Sequence, residues 1–257
     1  MTEKRRRTCR PSWLLVIVCL LISIAACQEP VLERVPRSFN DQVTVKMMKS
    51  YRRAVKRQAA VGLPLGALLG GTAEFRQILQ LLQFEPDDTI ADLGCGTGAL
   101  EVAMLEGEVP FARIYAVDVN QDALDFLQYA MDLYEFPHAN KIETVLSTMD
   151  DVRLPANSID VAVLLSIRAF DAKRNQNGIL EVDGKGQDCL KTLANALRDD
   201  GRIVYVSGVV DGEPDEDLFE RIAYSFEKAG VKTVEKKVVE IGGPRNAYIV
   251  FHKPPKP

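Results

Sequence analysis

The sequence contains few of the residues that build metal sites, and it has no apolar run long enough to cross a membrane. Its two histidines, His138 and His252, are isolated, and no group of Cys and His residues has the spacing of a metal site, so we expect no metal. The apolar segment over residues 13–26 would reach about 21 Å as a helix. That length is short of the roughly 30 Å hydrocarbon core of a bilayer, so a spanning helix is disfavoured.

Cysteine is too scarce for a disulfide framework. The sequence has five cysteines, and three of them, Cys9, Cys19 and Cys27, lie within the first 27 residues. The other two are far apart, Cys95 in a glycine-rich segment and Cys189 in a predicted helix. No spacing argument pairs them, so a bridge between Cys95 and Cys189 stays open.

The charge changes sign along the chain. Residues 1–26 carry five basic side chains against Glu3, a net +4, so the remaining residues must carry −8 to give the total of −4. An acidic body disfavours a nucleic-acid-binding surface. The composition, 47% hydrophobic and 26% charged, is globular, and 257 residues suit one domain with additional segments.

The N-terminus has the parts of a cleavable export signal: a basic stretch, the apolar segment over 13–26, and small residues before Cys27. The sequence Ile24-Ala25-Ala26-Cys27 resembles the lipobox of bacterial lipoproteins. This resemblance implies cleavage after residue 26 and lipidation of Cys27. Gln28 stands where aspartate often marks retention at the inner membrane, so the resemblance implies the outer membrane with the body facing the periplasm. The outer leaflet of the inner membrane and an uncleaved signal anchor are the alternatives, and each arrangement leaves the body outside the cytoplasm.

The next two segments are predicted to be a tether and a helical cap. Residues 27–41 contain the lipidated Cys and then prolines and scattered charges, which are typical of a tether. Residues 42–86 form the N-terminal helical cap, with amphipathic helices over 43–60 and 72–83. The segment GLPLGALLGG between them, residues 62–71, predicts a flexible apolar loop.

The core, residues 87–257, alternates strand-like and helix-like segments, which predicts an α/β fold with a doubly wound, mostly parallel sheet. The seven predicted strands are 89–93, 113–117, 141–146, 159–166, 202–206, 231–241 and 247–252. The predicted helices among them are 99–106, 121–133, 186–197 and 216–229. The last two strands are too close for a crossover, so they predict an antiparallel C-terminal hairpin at the edge of the sheet.

The stretch ADLGCGTGAL, residues 91–100, predicts a ligand-binding loop after the first core strand. Ligands of open α/β sheets bind at the carboxyl ends of the strands. Gly94, Gly96 and Gly98 permit a tight turn and a close approach of the backbone, and the following helix points its amides at the same place. A P-loop is excluded, because no Lys-Ser or Lys-Thr pair follows Gly98. The dinucleotide pattern G-x-G-x-x-G/A is satisfied through Ala99, so an NAD(P)-binding oxidoreductase stays open.

Asp92 lies two positions before the first glycine and completes the pattern D-x-G-x-G-x-G. A carboxylate there is costly beside a pyrophosphate but useful beside the ammonium group of an amino acid. With Asp92, the stretch ADLGCGTG resembles the first motif of the class I S-adenosylmethionine-dependent methyltransferases. The resemblance covers about residues 86–253 and implies a Rossmann-like methyltransferase fold with S-adenosylmethionine as cofactor.

The resemblance also implies roles for individual residues. Asp118, which ends the strand IYAVD, would bond the ribose hydroxyls, and Asp150 or Asp151 in STMDDVRLP would meet the adenine amino group. The cofactor-binding residues implied are Asp92, Gly94, Cys95, Gly96, Gly98, Asp118, Val119, Asp150, Asp151 and Ser166. The acceptor would lie over SIRAF, residues 166–170, and the segment 170–185 would be either a lid or a surface loop. No residue is assigned as catalytic, and the absence of the DNA amino-methyltransferase signature N/D-P-P-Y/F further disfavours nucleic acid.

The activity implied is methyl transfer to an unidentified, small-molecule acceptor by a lipoprotein held at the membrane through Cys27, with no obligate protein partner. Two alternatives remain: an adenosyl-ligand-binding or structural lipoprotein without catalysis, and an NAD(P)-binding oxidoreductase. S-Adenosylmethionine is made in the cytoplasm, whereas the signal predicts export. Translation from Met47 or Met48 would instead give a cytoplasmic enzyme.

Overall fold

The computed structural model describes residues 45–69, 72–209 and 215–254, so the predicted signal, Cys27 and the tether lie outside the described residues. The cap contains α1 (Val45–Ala60), α2 (Leu65–Leu69) and α3 (Thr72–Leu82). The core continues with β1 (Thr89–Leu93), α4 (Ala99–Glu106), β2 (Arg113–Asp118), α5 (Gln121–Tyr134), β3 (Ile142–Leu146), β4 (Ile159–Leu165), β5 (Lys173–Arg174), β6 (Leu180–Glu181), α6 (Gly184–Ala196), β7 (Leu197–Gly208), α7 (Asp215–Lys228), β8 (Lys232–Glu240) and β9 (Arg245–His252). None of the helices in these ranges is long and apolar enough to cross a membrane.

The main sheet has seven strands in the order β3-β2-β1-β4-β7-β9-β8. The first five of these are parallel to one another, and β9 runs antiparallel to both β7 and β8. The predicted fold class, a doubly wound and mostly parallel sheet with an antiparallel C-terminal hairpin, is confirmed. The strand order reverses between β1 and β4, and this is the position at which open α/β sheets bind their ligands.

Helices cover both faces of the sheet, and each face has its own buried cluster. One cluster joins the cap to α4 and α5, through residues such as Tyr51, Leu69 and Phe126. The other joins α6 and α7 to the opposite face, through residues such as Leu193 and Phe226. The cap therefore shares a hydrophobic core with the sheet and is not a separately packed unit.

The prediction of a flexible loop over 62–71 is wrong in its centre, where Leu65–Leu69 forms α2. Leu65 and Leu69 are four residues apart, so they lie on one side of the helix, and both are buried in the cap-side cluster. The Gly66 amide donates to Oε1 of Glu106 at 2.9 Å, which ties the start of α2 to the end of α4. Burial of the two leucines explains why this glycine-rich stretch is helical.

The end of α3 is held by the C-terminal part of the chain. The Tyr248 hydroxyl donates to the Leu81 carbonyl at 3.1 Å, and Nη2 of Arg202 donates to the carbonyls of Leu82 and Gln83 at 3.0 and 2.8 Å. The last carbonyls of a helix have no partner within the helix, so these donors satisfy them. The Gly242 amide adds a bond of 2.9 Å to the side-chain oxygen of Gln77.

The segment 170–185 contains a small antiparallel hairpin, in which β5 pairs with β6. Arg174 in this hairpin bonds Asp217 at 2.9 Å and Glu220 at 2.5 Å, and both acids lie on α7. The hairpin is thus attached to the helix beside it. Phe170, just before it, is buried and borders the cavity described below.

Candidate functional site

A cavity of about 420 Å³ lies at the carboxyl ends of β1, β2 and β4. Its walls come from the glycine loop, the loops after β2, β3 and β4, and helices α3, α4 and α6. The lining residues are Phe75, Ile78, Asp92, Leu93, Gly94, Cys95, Ala99, Leu100, Asp118, Val119, Ser147, Thr148, Met149, Val152, Leu165, Ser166, Ile167, Arg168, Ala169, Phe170 and Cys189. A cleft of this size at the switch point of an α/β sheet is the expected place for a small-molecule ligand.

The glycine loop turns sharply from β1 into α4. The amides of Gly94 and Cys95 both donate to the Val117 carbonyl, at 2.7 and 3.1 Å, and the Gly98 amide donates to the Cys95 carbonyl at 2.9 Å. Gly98 has φ +82°, and a Cβ placed there would collide with Cδ1 of Leu127. A side chain at this position would therefore meet both backbone strain and a packed neighbour. Gly96 and Gly98 shape the loop but are not among the residues that line the cavity.

Asp118 lies at the end of β2 and borders the cavity. Its Oδ2 accepts the Gly96 amide at 2.9 Å, and its Oδ1 accepts the Asn120 amide at 2.8 Å. Two amides therefore orient the carboxylate and join it to the glycine loop. A carboxylate has about four lone-pair sites, so two remain for further donors. Neighbouring hydroxyls of a sugar are donors that such a group can accept.

Asp92 is 3% exposed in the cavity wall, and Glu101 of α4 is fully buried next to it. The two carboxyls act on each other electrostatically, and burial raises the pKa of both. Neither side-chain oxygen of Glu101 has a hydrogen-bond partner among the described residues. For Asp92 the neighbouring Glu101 adds to the increase, and for Glu101 the pKa rises to about 7. Sequence reasoning missed Glu101, although an acid in the first turn of the apolar helix ALEVAMLE was a visible signal.

Asp150 and Asp151 are exposed and are not among the residues that line the cavity. Oδ1 of Asp150 accepts the Thr148 hydroxyl at 2.6 Å, and this hydrogen bond lowers the pKa of Asp150. Oδ1 of Asp151 accepts the Arg153 amide at 2.8 Å. Each carboxylate is thus turned toward a partner inside its own loop. The cavity wall is formed instead by Ser147, Thr148, Met149 and Val152 of the same segment.

The far end of the cavity lies beyond β4 and is mainly apolar. Ser166 has φ +60°, and its amide donates to the Val206 carbonyl at 2.7 Å. Strained backbone of this kind is often found at functional sites. The wall here consists of Ser166, Ile167, Arg168, Ala169 and Phe170 with Phe75 and Ile78 of the cap. The sequence predicts the amphipathic helix over 72–83 that contains these two cap residues, but it assigns neither of them to a site.

Arg168 brings the positive charge to this end of the cavity. Its Nη2 donates to the Gly208 carbonyl at 2.5 Å, and its charge also acts on Asp171. The described residues that line the far end include no carboxylate, imidazole or amine. This end can therefore hold an apolar or anionic group, and its described walls contain no general base.

Cys95 and Cys189 both line the cavity, and both are free thiols in the structure, so the bridge left open by the sequence is not formed. Burial raises the pKa of both thiols, that of Cys189 to about 11. Thiols with such pKa values are protonated at neutral pH and are weak nucleophiles. Within the described ranges, no group of three or more His, Cys, Asp or Glu residues could hold a metal ion.

The sequence of this chain matches a known protein family over part of its length. Residues 90–201 match a family model described as a methyltransferase domain. A search of the curated proteins found no match to the sequence.

Several solved structures resemble this chain over more of its length than the family model does. An S-adenosylmethionine-dependent methyltransferase from Aquifex aeolicus is 14% identical with a TM-score of 0.55, over 82% of this chain and all of that one. A TehB-like methyltransferase from Corynebacterium glutamicum is 18% identical with a TM-score of 0.52, also over 82% of this chain and all of that one. The [4+2]-cyclase SpnF is 12% identical with a TM-score of 0.56, over 87% of this chain and all of that one. At these identities the likeness shows the fold: the chain has a Rossmann-like methyltransferase fold, and its residues 90–201 match a methyltransferase domain model.

Proposed function

We propose that this protein binds S-adenosylmethionine in the cavity and transfers its methyl group to a small-molecule acceptor. The observation that carries the proposal is the position of Asp118, which borders the cavity while two amides, one from the glycine loop, hold its carboxylate. The match of residues 90–201 to a methyltransferase domain supports the same conclusion.

The residues present fit this cofactor. Asp92 offers a buried carboxyl for an ammonium group, Asp118 has lone pairs for two hydroxyls, and Val119 and Met149 offer apolar surface for a base. The cofactor has all three kinds of group. When bound, it contributes a methyl group that is electrophilic because its sulfur is cationic.

The contribution of the chain to the reaction is positioning. Phe75, Ile78, Ile167 and Phe170 exclude water from the far end of the cavity and shape it for an acceptor. Alignment of an acceptor atom in line with the methyl group at roughly 3 Å is the main source of rate. Because the described wall has no general base there, we expect the acceptor to be nucleophilic as it arrives.

Calorimetry with S-adenosylmethionine, S-adenosylhomocysteine and NAD tests the ligand. We expect both adenosyl compounds to bind, and Asp118→Ala to weaken binding by about 1–3 kcal/mol, the scale of hydrogen bonds to a charged group. Asp132→Ala is the matched control, since Asp132 is an exposed acid on α5 that bonds only Gln128 among the described residues. Binding of NAD without a response to either adenosyl compound would refute the proposal.

A second candidate is an adenosyl-ligand-binding lipoprotein that performs no catalysis. The lack of a general base in the described wall supports it, and the cyclase among the similar structures shows that this fold also occurs in a protein named for another reaction. Incubation with methyl-labelled S-adenosylmethionine and a small-molecule extract separates the two. Tight binding with no labelled product over many extracts would favour the second candidate.

We also propose that the protein is exported, lipidated at Cys27 and held at the outer membrane, facing the periplasm. The lipobox-like sequence before Cys27 supports this proposal. So does α1, which has no acidic residue and exposes Arg52, Arg53, Lys56 and Arg57, a basic surface that suits anionic lipid head groups. We expect Cys27→Ala to abolish palmitate incorporation and processing, whereas Cys19→Ala within the apolar segment leaves both intact. Unchanged labelling of Cys27→Ala would refute the lipid attachment.

A further inference from the structure

Two buried acids flank the glycine loop in the sequence, and only one of them, Asp92, lines the cavity. Asp92 lines the wall, whereas Glu101 is not among the lining residues and is 0% exposed. Glu101 is therefore buried beside Asp92 without forming part of the cavity wall. The methyltransferase pattern in the sequence accounts for Asp92 but assigns nothing to Glu101.

Both side-chain oxygens of Glu101 are buried and have no hydrogen-bond partner among the described residues. A hydrogen bond between Glu101 and the neighbouring Asp92 requires a proton, because two ionised carboxylates have no donor between them. A buried carboxylate without a donor or a cation is very costly, which favours retention of the proton.

The surroundings of the pair are negative. Asp118 of β2 acts on both carboxyls and raises the pKa of each, and the thiol of Cys95 in the loop is also buried beside them. Helices α2 and α3 pack against α4. The sequence of α2 has no titratable residue, and α3 contributes Glu74, which lies against Gly242, and the exposed Arg76. Among the described residues that line the cavity, Arg168 is the basic one. Its guanidinium lies at the far end, where it donates to the Gly208 carbonyl.

We propose that Asp92 and Glu101 hold one shared proton and release it to solvent when a cationic ligand enters the cavity, so that Glu101 makes cofactor binding depend on pH. This inference rests on the proposed function, because S-adenosylmethionine carries a cationic sulfonium and an ammonium group. The O–H bond of the pair breaks, its electrons stay on the carboxylate, and water or buffer takes the proton. A nearby cation favours the ionised form of both acids.

The sign of the effect follows from linkage. Below about pH 7, where the pair holds its proton, binding must expel it, so affinity rises with pH by up to tenfold per unit. Above that pH the pair has already lost the proton in a growing fraction of molecules, and the dependence levels off. Titration of the ligand itself is the same for every variant, so it cancels in a comparison between variants.

Calorimetric titration with S-adenosylmethionine at about pH 6.5, in two buffers of different ionisation enthalpy, counts the protons released. We expect the unmodified protein to release between half a proton and one proton. Glu101→Gln should release almost no protons. The Gln amide can donate a hydrogen bond to ionised Asp92, so the pair holds no acidic proton that ligand binding could expel. Glu106→Gln is the matched control on the same helix, with a partly exposed side chain, and should behave as the unmodified protein. Zero release by the unmodified protein, or equal release by Glu101→Gln, overturns the proposal.

Two measurements keep this test separate from the proposed function. Unfolding of the ligand-free protein should show that the unmodified protein loses stability relative to Glu101→Gln as pH rises from about 4.5 to 7. A carboxyl whose pKa is raised on folding stabilises below its unfolded pKa and loses that contribution as pH rises through the folded value. If the protein shows this difference in stability but binds no adenosyl compound, the proposed function is refuted, whereas the shared proton of Asp92 and Glu101 is still supported. If Glu101→Gln does not fold, the infrared carbonyl band of a protonated carboxyl in the unmodified protein decides, since it must weaken on ligand addition.

Discussion

At the scale of single residues, Gly98 shows how two separate constraints meet in the glycine loop. Its φ of +82° belongs to the left-handed region, and its missing Cβ leaves room for Leu127 of α5. The loop can reach Asp118 through the Gly96 amide only while this turn is kept. Packing of α5 against the loop and orientation of the cavity's carboxylate are therefore linked through a residue that does not itself line the cavity.

We predict that Gly98→Ala lowers the free energy of unfolding by about 2–5 kcal/mol. Roughly 1–2 kcal/mol comes from the left-handed backbone, and about 1–3 kcal/mol comes from overpacking against Leu127. Gly178→Ala is the matched control, since Gly178 has φ +77° with nothing within 4 Å of an added Cβ. It should cost only the backbone part. Urea denaturation measures both variants, and equal losses would contradict the packing argument.

The spacing of the motif predicts the cofactor-binding residues, and the structure brings some of them to the cavity wall and not others. The pattern D-x-G-x-G-x-G and the end of a strand located Asp92 and Asp118 at the cavity. Asp150 and Asp151 have the predicted spacing, but a hydroxyl and an amide within their own loop orient them. Such short-range competition depends on the conformation of the turn, which the residue pattern does not contain.

At the scale of elements, α2 shows that five residues can form a structural helix when their side chains are buried. An isolated helix of this length is unstable in water, so its stability must come from packing. Leu65 and Leu69 lie in the cluster that the cap shares with the sheet, and Gly66 is tied to α4. The segment that the sequence predicts to be a flexible loop thus helps to hold the cap against α4.

We predict that Leu69→Ala lowers the free energy of unfolding by about 2–4 kcal/mol, because it removes a fully packed side chain and leaves a cavity. Leu63→Ala should cost less than about 1 kcal/mol, since Leu63 is 41% exposed. Chemical denaturation of the two variants makes the comparison. If both cost the same small amount, α2 does not contribute to the core.

The strand boundaries show a similar limit of the sequence. Strand β7 was predicted over 202–206 but begins at Leu197, five residues earlier. The register against β4 shifts between Ile159, which pairs with Leu197, and Val161, which pairs with Arg202. The polar RDDG stretch is accommodated by this irregularity. A polar segment inside a strand has no alternating pattern, so it was not predictable from periodicity.

At the scale of the whole molecule, the cavity is enclosed by the cap, the sheet and α6 together, so a ligand should stabilise all of them at once. We predict that S-adenosylmethionine at about 100 times its Kd adds about 2.7 kcal/mol. For a protein of this size that corresponds to an increase in Tm of about 5–10 °C. Near- and far-ultraviolet circular dichroism should give the same shifted transition, and Asp118→Ala should show a smaller shift at the same concentration. Separate transitions for the two signals would contradict a single cooperative unit.

The overall architecture was predictable because it depends on many residues at once. Seven strand segments, their alternation with helices and a final pair too close for a crossover define the topology even when single boundaries are off by several residues. The functional pocket was predictable only in part, since its far wall combines Phe75 and Ile78 with residues 166–170 from a distant part of the chain. Contacts between segments so far apart in the sequence depend on the three-dimensional packing and cannot be read from the residue pattern.

The bonds that hold the end of α3 have a consequence for the order in which the chain can fold. Tyr248 and Arg202 are synthesised more than a hundred residues after Leu81 and Leu82, which receive their hydrogen bonds. The cap emerges first from the ribosome, and the last carbonyls of α3 lack these donors until β7 and the C-terminal hairpin have been made. The end of α3 is therefore completed only at the end of synthesis.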